Sequence, residues 1–133
     1  MVSASVTAYL CAKPSADAID FYKRAFGGDE PGERILNEDG SIGHAEIVIG
    51  DTSLYIADEW PEGGHLSPQR LKGSPVSFVL AVEDADATFQ RAVDAGATVD
   101  RPPMDEPYGR AGWVIDPFGH RWSVTSPLAN GDT

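Results

Sequence analysis

Apolar positions along this chain form short continuous runs and longer periodic ones, which alternate and then recur. Val6 to Ala12 (VTAYLCA) is a short run rich in β-branched and aromatic residues, as a strand requires. Lys13-Pro14-Ser15 interrupts it, and Ser15 is placed to cap a helix over Ala16 to Phe26. There Ile19, Tyr22, Ala25 and Phe26 recur at spacings that put them on one face, with Asp17, Asp20, Lys23 and Arg24 outside. Gly27-Gly28 ends the helix, because glycine accepts the left-handed backbone of a C′ position. Strands are then predicted over Glu33 to Asn37, His44 to Ile49 and Ser53 to Ala57, separated by Glu38-Asp39-Gly40-Ser41 and Gly50-Asp51.

Pro61 to Pro75 has the Gly, Ser and Pro content of a connecting loop, and its Trp60 and His65 make a lid the alternative to a plain linker. The order then repeats. Val76 to Val82 is a strand, Asp84 caps a helix over Ala85 to Ala95, and Gly96 ends it; Ala85, Thr88, Phe89, Ala92 and Val93 share its apolar face. Thr98 to Arg101 is a short strand that Pro102-Pro103 should break. Trp113 to Ile115 and Arg121 to Thr125 form a hairpin around Asp116-Pro117-Phe118-Gly119-His120, with Asp116 and Pro117 suited to early turn positions and Gly119 to a late one. His120, after the turn, is read as exposed or packed locally.

Local wording repeats as well. Ala16-Asp17-Ala18 and Ala85-Asp86-Ala87 open the two helices, and Ile49-Gly50-Asp51 and Ile115-Asp116-Pro117 occupy the same hairpin turn. An offset of roughly 66–69 residues is too long for a solenoid repeat and suits a duplicated βαβββ unit. The division that follows is one domain over 1–133, with module one at about 5–60, a connecting loop at 61–75, module two at about 76–126 and a tail at 127–133.

Charge changes this picture only in its choice of partners. The chain has 21 acidic and 10 basic residues, a net charge of −11, so nucleic acid and anionic membranes are disfavoured and a cationic ligand is favoured. Solubility alone is the plainer reading of the same number. No apolar run is long enough to cross a bilayer, and Met1 to Lys13 lacks the charge-then-apolar order of a signal peptide, so the expected location is cytoplasmic. Cys11 is the single cysteine and lies mid-strand among apolar residues, which reads as a buried inert thiol.

Ala18-Ile19-Asp20-Phe21-Tyr22 with Phe26-Gly27, Gly43-His44-Ala45-Glu46-Ile47, Val82-Glu83-Asp84-Ala85-Asp86, Ala95-Gly96-Ala97 and Asp116-Pro117-Phe118-Gly119-His120 together resemble the vicinal oxygen chelate superfamily, and most closely its PhnB-like, glyoxalase and bleomycin-resistance branch. The resemblance runs from about Val6 to Ser126. It implies an α+β fold in which two βαβββ modules form a curved mixed sheet around a cavity, and a homodimer. Counted along the same motifs, the family's metal-ligand positions fall on Thr7, Tyr55, Ser77 and Ser123. Neutral hydroxyls are not normal ligands for Zn, Ni, Mn or Fe, so no metal cofactor is expected. An unorthodox divalent site at His44 and Glu46 would need His65, His120 or Glu59 as a further donor. Its alternative is a hydrogen-bonded His–Glu pair at the cavity, since residues two apart on a strand share a face.

Aromatics and carboxylates are what remain for chemistry. The candidate ligand-binding set is Thr7, Tyr9, His44, Glu46, Tyr55, Trp60, Ser77, Tyr108, Trp113 and Ser123. One expectation is a metal-free protein that binds a small cationic or aromatic compound, as in drug sequestration or antibiotic resistance. The other is a glyoxalase-like lyase or another small-molecule enzyme, in which Glu46 or His44 is the general acid or base, with or without a metal. An interaction module without chemistry is the third reading. No nucleophile elbow, P-loop or dinucleotide fingerprint is present in the sequence.

Overall fold

Two amphipathic helices pack against each other, and each supports a sheet built from its own half of the chain. The computed structural model describes residues 3–129. Module one contains β1 (Tyr9–Cys11), α1 (Ser15–Phe26), β2 (Ile35–Leu36), β3 (Ile42–Ile49) and β4 (Thr52–Ala57). A 3-10 turn (Pro61–Gly63) and the short α2 (Pro68–Leu71) occupy the connecting segment. Module two contains β5 (Ser77–Ala81), α3 (Ala85–Asp94), β6 (Thr98–Glu106), β7 (Gly109–Ile115) and β8 (Arg121–Ser126). The sheets run β1-β4-β3-β2 and β5-β8-β7-β6. In both, the first strand lies parallel to the last and the remaining pairs are antiparallel. The duplicated α+β architecture is therefore present element for element. No described helix is long and apolar enough to cross a membrane.

The helix-side faces share one core. Ile19, Tyr22 and Ala25 of α1 pack with Ile47 and Ile56 of the first sheet, and with Phe89, Val114 and Trp122 from module two. The ring of Trp122 lies 5.5 Å from Tyr22 and 4.9 Å from Phe26, so the modules are joined by aromatic contact across the repeat. A buried carboxylate completes the join. Asp116 accepts from the Phe118 and His120 backbone N–H groups at 2.9 and 3.0 Å and from Trp122 Nε1 at 2.9 Å, and it also takes the Tyr22 hydroxyl. His120 is packed there rather than exposed, and burial lowers its pKa against the opposing pull of Asp116.

Several boundaries differ from the sequence reading. Ser15 is the first residue of α1 and not its cap; its N–H is taken by Asp58 Oδ1 at 2.9 Å, a cap supplied from the end of β4. Asp84 does cap α3, accepting from Ala87 N at 3.1 Å. Pro102-Pro103 does not break β6. That strand is an edge of its sheet, where a missing N–H costs no ladder bond, and register shifts on either side of Arg101 absorb the prolines. The predicted strand over residues 33–37 shrinks to Ile35–Leu36, and the first strand to Tyr9–Cys11. The end of the expected tail, 130–133, lies outside the described residues.

Candidate functional site

Strand alternation puts long aromatic side chains on the face of the first sheet that points away from α1. Tyr9 partners Tyr55 across β1–β4, and Tyr55 partners Glu46 across β4–β3, so the three form a row across the sheet. His44 lies two residues before Glu46 and shares its face. The Tyr9 ring centroid is 5.5 Å from His44, 5.6 Å from Tyr55 and 5.3 Å from His65, each meeting edge to face. His44 and Tyr55 meet in the same way at 4.9 Å. Such contacts contribute about 0.5–1.5 kcal/mol per aromatic pair beyond burial, so four rings order one another.

Tyr9 Oη lies 2.7 Å from His44 Nδ1. The hydrogen-bonded partner of His44 is thus Tyr9 and not Glu46. His44 lies one residue before the first β3–β4 pair, Ala45 with Ile56, and is paired with Ile35 of β2. Glu46 instead stands beside Tyr55.

An open cleft of about 880 Å³ extends from this cluster. Its walls include Tyr9, Trp60 and His65, with Asn37, Glu38, Asp39, Ser41, Asp58 and Glu59. The wall formed by the connecting segment is fastened. Trp60 and His65 exchange backbone hydrogen bonds of 2.9 and 3.1 Å, and the Trp60 ring lies so close over Gly63 that a Cβ there would sit 2.3 Å from it. Glu59 accepts from Ser67 N and Oγ at 3.0 and 2.5 Å and from Arg70 Nε and Nη2 at 3.1 and 3.0 Å. The Arg70 fork and the Ser67 hydroxyl hold the Glu59 carboxyl down to about 2. The segment read as linker or lid is therefore a pinned wall of the cleft. Nearby, burial and the Glu59 and Asp58 carboxylates push the Cys11 thiol up to about 12.

The predicted residues do not all meet. Tyr9, His44, Glu46, Tyr55 and Trp60 belong to the cleft or to the sheet face beside it, and Thr7 is exposed just before β1. Ser77, Trp113 and Ser123 lie on the corresponding face of the second sheet, where Arg121 stacks 4.5 Å over Trp113 and donates to Ser77 Oγ at 3.0 Å. Tyr108 is exposed at the β6–β7 turn. The carboxylates at Glu38, Asp39, Asp58 and Glu59 escaped the sequence reading as a group. The signal was available: in a β2–β3–β4 meander the β2–β3 turn and the exit from β4 must emerge at the same end of the sheet.

With that geometry in view, the match to known proteins is decisive at the level of family. The sequence profile of the glyoxalase/bleomycin resistance protein/dioxygenase superfamily matches residues 6–124. The chain belongs to that superfamily. It is 40% identical over 131 residues to the uncharacterized protein Mb0911c of Mycobacterium bovis, covering 96% of this chain and 86% of that one. It is 44% identical to the anthracycline biosynthesis protein DauV of Streptomyces sp. strain C5, covering 85% of this chain and 50% of DauV. The X-ray structure of the Arabidopsis thaliana gene product At5g48480 superposes with a TM-score of 0.71 at 29% identity, covering 93% and 99% of the two chains. The positions that the sequence resemblance implies for metal ligands, Thr7, Tyr55, Ser77 and Ser123, carry hydroxyl groups, and these do not fit a divalent metal. Tyr55 lies on the first sheet and Ser77 and Ser123 on the second, while Thr7 precedes β1. Among the described residues no three His, Cys, Asp or Glu side chains converge as a ligand set either.

Proposed function

We propose that this superfamily member, of the PhnB-like branch, binds a planar aromatic compound carrying positive charge, in the manner of a sequestering protein. The observation that carries the reading is the Tyr9–His44–Tyr55–His65 ring cluster at a cleft bordered by Glu38, Asp39 and Glu59. Edge-to-face rings present flat surfaces on which a planar ligand stacks, and carboxylates around them favour a cation over an anion. The relationship to DauV supports the same class, since anthracyclines are fused planar ring systems. Calorimetric titration with 9-aminoacridine, a planar cation, and 9-anthracenecarboxylate, a planar anion, tests it. The cation binds more tightly, Tyr9→Ala abolishes the binding, and Asp39→Asn weakens it about fivefold, as loss of one charge contact requires. Equal affinity for both probes removes the charge argument.

The homodimer implied by the family resemblance gives the second sheet a partner. Val79 is 70% exposed at the centre of β5, and the same face carries Arg101 and Arg121, opposite in sign to the cleft. Val79→Glu shifts the sedimentation coefficient to that of a monomer.

The Tyr9–His44 hydrogen bond also supports a second reading, proton transfer on the sheet face beside the cleft with Glu46 as base and His44 as polarising donor. Deuterium exchange at the α-carbon of a bound aromatic ketone, lost in Glu46→Gln, is its test.

A further inference from the structure

We infer that the aromatic sheet face beside the cleft selects planar ligands bearing a carbonyl oxygen, because Tyr9 holds His44 in the tautomer that presents its Nε2–H. The inference rests on the aromatic-ligand reading above and adds a specificity to it. Tyr9 Oη and His44 Nδ1 are 2.7 Å apart. A phenol is a stronger acid than a neutral imidazole N–H, and an imidazole nitrogen is a better acceptor than a phenol oxygen. Donation therefore runs from Tyr9 to Nδ1, and the ring hydrogen resides on Nε2.

The direction of that N–H is fixed as well as its presence. The His44 ring meets Tyr9 at an interplanar angle of 74° and Tyr55 at 68°, so it is held from two sides. Within the described residues Nε2 has no hydrogen-bond partner, and it is not among the buried unpartnered atoms, so it reaches solvent. A fixed donor beside a stacking surface is satisfied by an acceptor on the ligand. Glu46, two residues along the same strand face, disfavours a carboxylate in that role, which leaves a neutral carbonyl oxygen on the ring system. Tyr9 is then a positioning residue for His44 besides being a stacking surface.

The test uses a matched pair of probes: an anthraquinone with one aminoalkyl side chain, and the anthracene with the same side chain. Calorimetry on the full chain is expected to give about fivefold tighter binding of the anthraquinone, the worth of one net hydrogen bond. His44→Phe keeps a ring but removes the donor, and brings the two probes within twofold of each other. Tyr9→Phe keeps its ring and reduces the preference. In the wild-type protein, long-range proton–nitrogen correlation spectra place the His44 hydrogen on Nε2. Equal binding of both probes to the wild type, an unchanged preference in His44→Phe, or an Nδ1–H tautomer overturns the inference while leaving the aromatic site standing. Binding of neither probe overturns both.

Discussion

Replacing Asp116 tests how the two modules are held together. Its carboxylate gathers the Tyr22 hydroxyl, Trp122 Nε1–H and the backbone N–H groups of Phe118 and His120, with Tyr22 and Trp122 at 0% and 3% exposure. Asp116→Ala leaves all of these buried donors without their acceptor, which costs about 3–5 kcal/mol for a buried charged partner. Asp116→Asn is more discriminating. Its carbonyl oxygen can replace Oδ1 for the two backbone donors, and the Tyr22 hydroxyl can rotate to accept from the new amide. Trp122 Nε1–H can do neither, and one stranded buried donor costs about 1–3 kcal/mol. Unfolding entropy scales with chain length, so Tm falls by roughly 4 °C per kcal/mol in a chain of this size. The assay is urea unfolding of wild type, Asp116→Asn, Trp122→Phe and the double variant. A coupling energy of about 1 kcal/mol or more between the two positions is expected, because the double variant has no N–H to strand. A coupling near zero, or an Asp116→Asn cost below about 0.5 kcal/mol, would refute the reasoning.

The Cys11 thiol, pushed up to about 12 by burial and by Glu59 and Asp58, stays unreactive to a disulfide reagent at pH 8 and reacts fully in denaturant. Arg70 and Ser67 hold Glu59 down to about 2, so its stabilising contribution is complete above its ordinary value of 4.5 and is lost as pH falls towards 2. Proteolysis within residues 60–73 therefore rises over that acid window, and in Arg70→Met it rises already at neutral pH. Gly109 has φ +147°, and a Cβ there would sit 2.7 Å from the Ser126 carbonyl oxygen, so Gly109→Ala costs about 1–3 kcal/mol in urea unfolding with an unchanged m value.

Much of the architecture was legible because the residues that set it act locally. The stripe of Ile19, Tyr22 and Ala25 and the Asp84 cap specify their helices from neighbours a few positions away. What was not legible depended on the other end of a long-range contact. Ser15 has the right side chain for a cap, yet Asp58, 43 residues later, reaches its N–H. Pro102-Pro103 reads as a breaker until β6 is known to be an edge strand.

The candidate site divides along the same line. His44 and Glu46 share a face by simple alternation, which the sequence shows. That Tyr9 would bond His44 depends on how β1 and β3 register against β4. Ser77, Trp113 and Ser123 occupy the second sheet and the rings occupy the first, a separation that spacing along one chain does not reveal.

An amide-resolved titration of the isotope-labelled full chain with 9-aminoacridine tests the central assignment most directly. Saturable shifts centred on Tyr9, His44, Tyr55, Trp60 and His65 are the predicted result. Shifts confined to Ser77, Trp113 and Ser123, or no saturable shift near Tyr9, would contradict it.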